Sequence, residues 1–250
     1  MIISSGCPRN ARGFLKDKTF PKYNRIAFDF LKMYKDRKDA GQKLSLLLQR
    51  YQGENVIVYG LTRGGVPVAY EVAKYLNAPL EAFIVKKLGA PYQEELALGA
   101  VTEGKEPGVY YNKEILLHMH LLESDLKSSI QRKMADIGEL QKKIRPDSKL
   151  HLFPKATAII VDDGIATGST MKAALKFFKK LGQFRITVAV PVGQRSVLEE
   201  LGELADEVVC AEPVLYLEAV GEFYKDFTQV ESETVLALLE QSRKPLAKKN

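Results

Sequence analysis

The residues best suited to chemistry lie in one short segment, residues 159–170. Its apolar start predicts a buried strand, and Asp162 and Asp163 follow directly at the carboxyl end of that strand. The next residues are small or hydroxylated and precede a predicted helix, so they can offer unhindered N–H groups to an anion. Two carboxylates beside an anion loop fit a ligand that carries both hydroxyl groups and a phosphate, such as a ribose 5-phosphate. The loop residues are Gly164, Ala166, Thr167, Gly168, Ser169 and Thr170.

Two other segments place glycines or cations where a predicted strand ends. Arg63, Gly64 and Gly65 follow the first strand, in a loop that lacks the glycine spacing of a dinucleotide-binding motif. Lys86 and Lys87 end the next strand, and strand alternation places their side chains on opposite faces. The segment 159–170 itself lacks the lysine of a Walker A loop, which argues against a nucleoside triphosphatase of that class.

Short apolar runs and helical patterns alternate along the chain and predict an α/β fold with a parallel sheet. The predicted strands are 56–59, 82–85, 156–161, 186–190 and 207–211, with the last two stopped by Pro191 and Pro213. The predicted helices between them have apolar faces at 44–51, 66–76 and 171–178. Between the second and third strands, apolar residues recur every three or four positions from Ile115 to Ile144. This pattern predicts one long amphipathic helix packed on the domain, with a coiled-coil or dimer arm as the alternative.

Composition and charge exclude several classes of protein. The 250 residues are 46% hydrophobic and 27% charged, which are values of a globular chain. The net charge of +6 is concentrated in basic tails at 1–25 and 241–250, while residues 26–240 are slightly acidic. This distribution removes most of the support for a basic nucleic-acid-binding face on the fold. Cys7 and Cys210 are too few for a disulfide framework, and the three histidines lack metal-site spacing. With no apolar run of about 20 residues, a cytoplasmic location is expected.

The order of apolar residues, two acids and a small-residue loop with Thr-Gly-x-Thr resembles the phosphoribosyl pyrophosphate (PRPP) motif of type I phosphoribosyltransferases. The resemblance covers about residues 36–230 and implies a Rossmann-like parallel sheet flanked by helices. It divides the chain into a domain at 26–240 between the two basic tails. Within that domain we expect a helical insertion at about 104–150 and a small hood at about 191–227.

The resemblance also implies roles for the candidate residues. Asp162 and Asp163 would be the catalytic carboxylates, binding the ribose hydroxyls and, through water, Mg²⁺, while the loop 164–170 would bind the 5′-phosphate. A lysine, with Lys86 preferred over Lys87, would bind pyrophosphate together with the first glycine loop. In the first glycine loop, pyrophosphate would be bound by Arg63, Gly64 and Gly65, with a cis peptide bond at Arg63–Gly64. Glu94 and Glu95 would lie in a flexible catalytic loop. The residues near the base would be Val192, Phe223 and Tyr224.

The function implied by the resemblance is transfer of the phosphoribosyl group of PRPP to a nitrogenous base, with release of pyrophosphate. Such a glycosyltransferase would depend on Mg²⁺, act in nucleotide salvage and nucleoside metabolism, and form a homodimer. Ala166 stands where hypoxanthine–guanine enzymes carry an aspartate, which argues against a 6-oxopurine acceptor. The alternative is a non-catalytic PRPP- or nucleotide-sensing regulator that binds RNA through the basic tails, and a third option is a hydrolase that uses water as the acceptor.

Overall fold

The computed structural model describes residues 33–90, 93–146, 149–183 and 185–243, with only the backbone at 93–96. The N-terminal basic tail and most of the C-terminal one therefore lie outside the described residues. Five parallel strands form the main sheet in the order β2-β1-β6-β7-β8. They are β1 (Val56–Leu61), β2 (Leu80–Phe83), β6 (Thr157–Val161), β7 (Arg185–Gln194) and β8 (Glu207–Val214).

Helices cover both faces of this sheet. The helices that pack on it are α1 (Arg37–Leu47), α2 (Gly65–Leu76), α5 (Ser169–Lys180), α6 (Arg195–Leu204) and α7 (Ser232–Arg243). Alternate strand residues face opposite cores, so Ile159 packs with α1, α2 and α7 while Ile160 packs with α5 and α6. The predicted α/β parallel sheet is confirmed. Among the residues that the structure describes, no helix is both long and apolar enough to cross a lipid bilayer.

Strands β7 and β8 continue through the prolines that were expected to end them. Strand β6 pairs with β7 only as far as Ala189, so Pro191 lies where β7 has a strand partner on one side alone. Strand β8 is the edge of the sheet, and Pro213 lies within it. Proline is tolerated at such edge positions because fewer ladder hydrogen bonds are needed there.

A second, antiparallel sheet was not predicted from the sequence. It consists of β3 (Val85–Ala90), β4 (Gln93–Thr102) and β5 (Val109–Tyr111). The predicted second strand divides at Ile84, where the main sheet ends and the small sheet begins. Glu94 and Glu95 lie in β4 and not in an open loop, which corrects the predicted local structure. Their role in covering a ligand stays a prediction.

The predicted long helix is broken into two helices, which corrects the expectation of a single one. Helix α3 spans Lys113–His118 and α4 spans Lys127–Ile144, with a short 3-10 turn between them. The break contains His120, whose backbone is left-handed with φ of 54°, a conformation that no continuous helix contains. After the break, an Asp125 carboxylate oxygen accepts the Leu122 N–H at 2.8 Å and begins the next turn. Only the second part, α4, matches the prediction.

Helix α4 packs on the domain through a buried acid, as well as through its apolar face. The Glu103 side chain is 1% exposed and lies just after β4. It accepts the Ile84 N–H at 2.8 Å and the Gln141 Nε2 donor at 2.7 Å, and it pairs with the buried Arg145. Breaking a buried pair of this kind leaves an uncompensated charge, so the contact holds the insertion to the junction of the two sheets. The prediction that the helix packs on the domain is confirmed.

Candidate functional site

Asp162 and Asp163 follow β6 at the carboxyl edge of the main sheet, where ligands of open α/β sheets bind. The carboxylate of Asp163 accepts the Arg37 Nε donor at 2.8 Å, and its backbone carbonyl accepts the Tyr224 hydroxyl at 2.6 Å. An Asp162 carboxylate oxygen accepts the Asp163 N–H at 2.9 Å. These contacts fix the two acids side by side.

The two carboxylates are crowded and shielded from water. Burial raises the pKa of Asp162 well above its usual range, and the charge of Asp163 raises it further, whereas Lys87 and Arg37 act in the opposite direction. Burial also raises the pKa of Asp163, although Arg37 opposes that shift. Hydroxyl donors or a cation brought by a ligand would therefore stabilise the charged forms of these acids.

The first glycine loop lies directly against the carboxylates. A Cβ atom on Gly64 would collide with the Asp163 carboxylate. A Cβ atom on Gly65 would lie 2.7 Å from the Val161 carbonyl oxygen and 2.8 Å from the Asp162 Cα. Both positions therefore require glycine for the close approach of two backbones.

The non-proline cis peptide bond joins Thr62 to Arg63, one bond before the predicted position. This corrects the expectation that it lies between Arg63 and Gly64. The bond belongs to the same loop, immediately before the glycine pair.

Three cations lie near this loop and the carboxylates. Arg63 donates to the Glu231 carboxylate at 3.0 Å. Lys87 lies close enough to Asp162 for its charge to lower the pKa of that carboxyl, whereas Lys86 is influenced by Arg63. Lys87 is thus the lysine whose charge acts on Asp162, and the preference for Lys86 in binding pyrophosphate stays a prediction.

The loop after the carboxylates ends in the first turn of α5, as predicted. Gly168 has φ of 70°, a left-handed conformation that suits glycine, and Ser169 begins the helix. No side chain caps this helix in the described part of the chain. The first N–H groups of a helix have no partner within it, so those after Gly168 can bind an anion. The Thr167 and Ser169 hydroxyls lie 3.5 Å apart beside them.

The hood residues have different surroundings from those expected. Val192 is fully buried, and a Cβ atom on Gly164 would approach its side chain to 2.9 Å. The Tyr224 ring is 4% exposed and packs against Tyr34, with ring centroids 5.3 Å apart. The Tyr224 ring therefore lies in a core and its hydroxyl donates to the Asp163 backbone carbonyl, so the expected place of Tyr224 near the base stays a prediction. Phe223 is half-buried against the same aromatic cluster.

Arg37 is the important site residue that sequence reasoning missed. Besides its bond to Asp163, it donates to the Thr228 carbonyl at 2.8 Å, and its guanidinium lies 3.9 Å from the Phe227 ring centroid. It lies 126 positions from Asp163, in a helix whose sequence carries no motif. Only its position in the fold reveals its role of orienting the second carboxylate.

Replacing Arg37 with alanine is expected to weaken PRPP binding about 10- to 100-fold, because one hydrogen bond to a charged partner contributes about 1.5–3 kcal/mol. Arg37→Lys should recover part of the loss, since it keeps the charge and loses the fixed geometry of the guanidinium. Calorimetric titration with PRPP measures the effect. The control is Lys38→Ala, which removes an exposed cation one position along the same helix and should change the affinity less than twofold. Equal affinities of Arg37→Ala and the unmodified chain would contradict the assigned role.

A family model, two relatives and a solved structure that resemble this chain all match most of its length. The sequence model of the family described as "Phosphoribosyl transferase domain" matches residues 31–223. Two Mycobacterium tuberculosis proteins, named "Putative phosphoribosyl transferase MT0597" (strain CDC 1551) and "Putative phosphoribosyl transferase Rv0571c" (strain H37Rv), are each 38% identical over 218 residues, or 87% of this chain. The chain spans about half, 48%, of the length of these relatives. The crystal structure of TT1426 from Thermus thermophilus has a TM-score of 0.66 at 35% identity, covering 84% of this chain and 98% of that one.

Proposed function

Since the chain belongs to the phosphoribosyl transferase domain family, we propose that it is a glycosyltransferase that transfers the 5-phosphoribosyl group of PRPP to a nitrogenous base and releases pyrophosphate. The observation that carries this proposal is the contact between the glycine pair and the two carboxylates. It brings a loop suited to pyrophosphate and a pair of acids suited to ribose hydroxyls to one edge of the sheet. The parallel sheet flanked by helices agrees with the fold expected of a type I phosphoribosyltransferase.

Each part of the site has a proposed role in binding PRPP. Asp162 and Asp163 accept hydrogen bonds from the ribose hydroxyls, and the N–H groups of the loop 164–170 hold the 5′-phosphate. Arg63 and the backbone of Gly64 and Gly65 bind pyrophosphate. Arg63 must then exchange its bond to the exposed Glu231 carboxylate for one to phosphate, which costs little because surface ion pairs contribute about 0–1 kcal/mol.

Lys87, with Lys86 beside it, supplies positive charge between pyrophosphate and the carboxylates. The reaction develops positive charge on the ribose as pyrophosphate leaves with its negative charge. The contribution of these residues is positioning and electrostatic stabilisation and not covalent chemistry.

The carboxylate pair also suits Mg²⁺, which the proposed reaction would use. Among the described residues, no group of three or more His, Cys, Asp or Glu side chains could hold a metal ion by itself. Mg²⁺ commonly binds through one or two carboxylates, waters and substrate phosphates, and the Asp162–Asp163 pair fits that donor set. When bound, Mg²⁺ would neutralise charge on the leaving pyrophosphate. Asp162 and Asp163 would hold it through water.

The acceptor is proposed to be a nitrogenous base other than a 6-oxopurine. Ala166 provides no carboxylate where such a base would need proton transfer. Val192 and Val220 lie next to Gly164, and of these two only Val220 is partly exposed, so it gives the adjoining part of the hood an apolar side chain. Nucleotide salvage as the pathway, a homodimer as the assembly and the cytoplasm as the location all stay predictions.

Pyrophosphate release tests this proposal. Incubation of the chain with PRPP, Mg²⁺ and one of a panel of purines, pyrimidines and other amines should yield pyrophosphate and a new nucleotide with at least one acceptor. Activity should be lost when EDTA removes Mg²⁺ and return when Mg²⁺ is added in excess. PRPP binding without turnover on any acceptor would contradict the transferase and favour the PRPP-sensing regulator, whereas acceptor-independent release of ribose 5-phosphate would favour the hydrolase.

A further inference from the structure

A cleft of about 930 Å³ lies between strand β3 and the inserted helix α4. Strand β3 contributes Lys86 and Lys87 to its lining, and α4 contributes Arg132 and Lys133. Four cations from two elements that are distant in sequence therefore line one cavity, although strand alternation predicted that Lys86 and Lys87 lie on opposite faces of their strand. The roles proposed above use only the two lysines and leave the helix side of the cleft without a function.

The positive charge of this cleft is only partly neutralised. Within the part of the chain that the structure describes, no acid forms an ion pair with Lys86, Lys87 or Arg132. Lys133 Nζ lies 3.6 Å from an Asp136 carboxylate oxygen, and that pair is partly exposed. The other acid in the lining, Asp125, already accepts the Leu122 N–H. Among the described side chains, Lys86, Lys87 and Arg132 thus form no ion pair with a carboxylate of the protein.

The pKa of Lys86 is affected by the cations around it. Burial lowers its pKa below the usual lysine range, and the Arg63 and Lys133 charges lower it further, against the opposing effect of Asp136. The charge of Lys133 on the inserted helix and the charge of Arg63 in the first glycine loop therefore both act on Lys86. An anion in the cleft would favour the charged lysine and reduce the repulsion among these cations.

We propose that this cleft binds a nucleoside polyphosphate at a site additional to the one for PRPP. The phosphates would lie against Arg132 and Lys133 of α4, which leaves Lys86 and Lys87 available to PRPP. The Arg132 guanidinium can bind phosphate through two parallel hydrogen bonds. The nucleoside would lie against the rest of the lining, where Leu121, Ala135 and Ala90 present apolar or small side chains. The volume favours such a ligand over inorganic phosphate, because pockets of about 300–1,000 Å³ hold drug-sized molecules.

Calorimetric titration of the full chain with ATP, with and without saturating PRPP, tests the proposal. We expect ATP to bind in both conditions, more weakly as salt is added, and inorganic tripolyphosphate to bind less tightly than ATP. The double variant Arg132→Ala/Lys133→Ala should lose about tenfold or more in ATP affinity, since each charged hydrogen bond contributes about 1.5–3 kcal/mol. The same variant should bind PRPP with unchanged affinity, because neither residue belongs to the proposed PRPP site.

The matched control is Lys142→Ala/Lys143→Ala, which removes two exposed cations from the same helix outside the cleft. It should keep ATP affinity within twofold. ATP binding that survives Arg132→Ala/Lys133→Ala, or that saturating PRPP abolishes, would overturn the proposal. Tripolyphosphate binding as tightly as ATP would overturn the nucleoside as part of the ligand. None of these results depends on transferase activity, so a failure here differs from a failure to release pyrophosphate.

Discussion

The variant Asp162→Asn is expected to lose PRPP affinity about 100- to 10,000-fold, because two hydrogen bonds to a charged acceptor contribute about 3–6 kcal/mol together. The same substitution should raise the thermal midpoint of unfolding. Burial and the neighbouring Asp163 make the charged form of Asp162 unfavourable in the folded chain, and the neutral amide removes that cost. Loss of binding with gain of stability is the pattern of an acid retained for its ligand.

The companion variant Asp163→Asn separates the two effects. It should also lose PRPP affinity, but without the gain in stability, because Arg37 would then lack its carboxylate partner. Calorimetry with PRPP and a thermal melt of each variant measure both quantities. The control is Glu240→Gln, which neutralises an exposed acid of α7 and should change neither quantity. Full PRPP affinity in both aspartate variants would remove the site assignment itself.

A methyl group added at Gly64 is expected to lower kcat/KM about 100-fold, which corresponds to about 2.7 kcal/mol of transition-state stabilisation. The added Cβ would collide with the Asp163 carboxylate, which Arg37 holds in place. Either the carboxylate or the loop must move, and both are proposed to contact PRPP. The measurement is pyrophosphate release by Gly64→Ala with the best acceptor found, together with a thermal melt to show that the variant is folded.

Gly138→Ala provides the matched control for this substitution. Its added Cβ meets nothing within 4 Å, and the residue lies in helix α4. We expect unchanged activity and a fold more stable by up to about 1 kcal/mol, because alanine favours a helix over glycine. A Gly64→Ala variant as active as this control would show that the two loops need not lie so close together.

The main sheet and the carboxylate segment could be predicted because their signals are contiguous in the sequence. Strands buried on both faces leave unbroken apolar runs, as at residues 159–161, and the acids and the small-residue loop follow such a run directly. The glycine pair was predicted for the same reason. Its close contact with Asp163 was not, because that contact joins segments about one hundred residues apart.

The features that sequence reasoning missed depend on tertiary contacts or on weak local patterns. Strand β3 contains two adjacent lysines and a glycine, so it lacks the alternation of a half-buried strand. The interruption at His120 falls within a regular apolar pattern, and periodicity alone does not detect a single left-handed residue. The packing of the Tyr224 ring against Tyr34 was not predicted, because sequence cannot distinguish an aromatic ring in a ligand site from one in a core.

The buried contacts of Glu103 affect how the β3–β4 hairpin and helix α4 can move, as well as how stable the fold is. Its buried carboxylate joins the Ile84 backbone, where β3 begins, to Gln141 and Arg145 at the end of α4. The β3–β4 hairpin and helix α4 thus share one anchor, so a displacement of either should carry the other with it as a single rigid unit. The outer surface of the insertion is therefore mechanically linked to the two lysines nearest the carboxylates, although it lies far from them in the sequence.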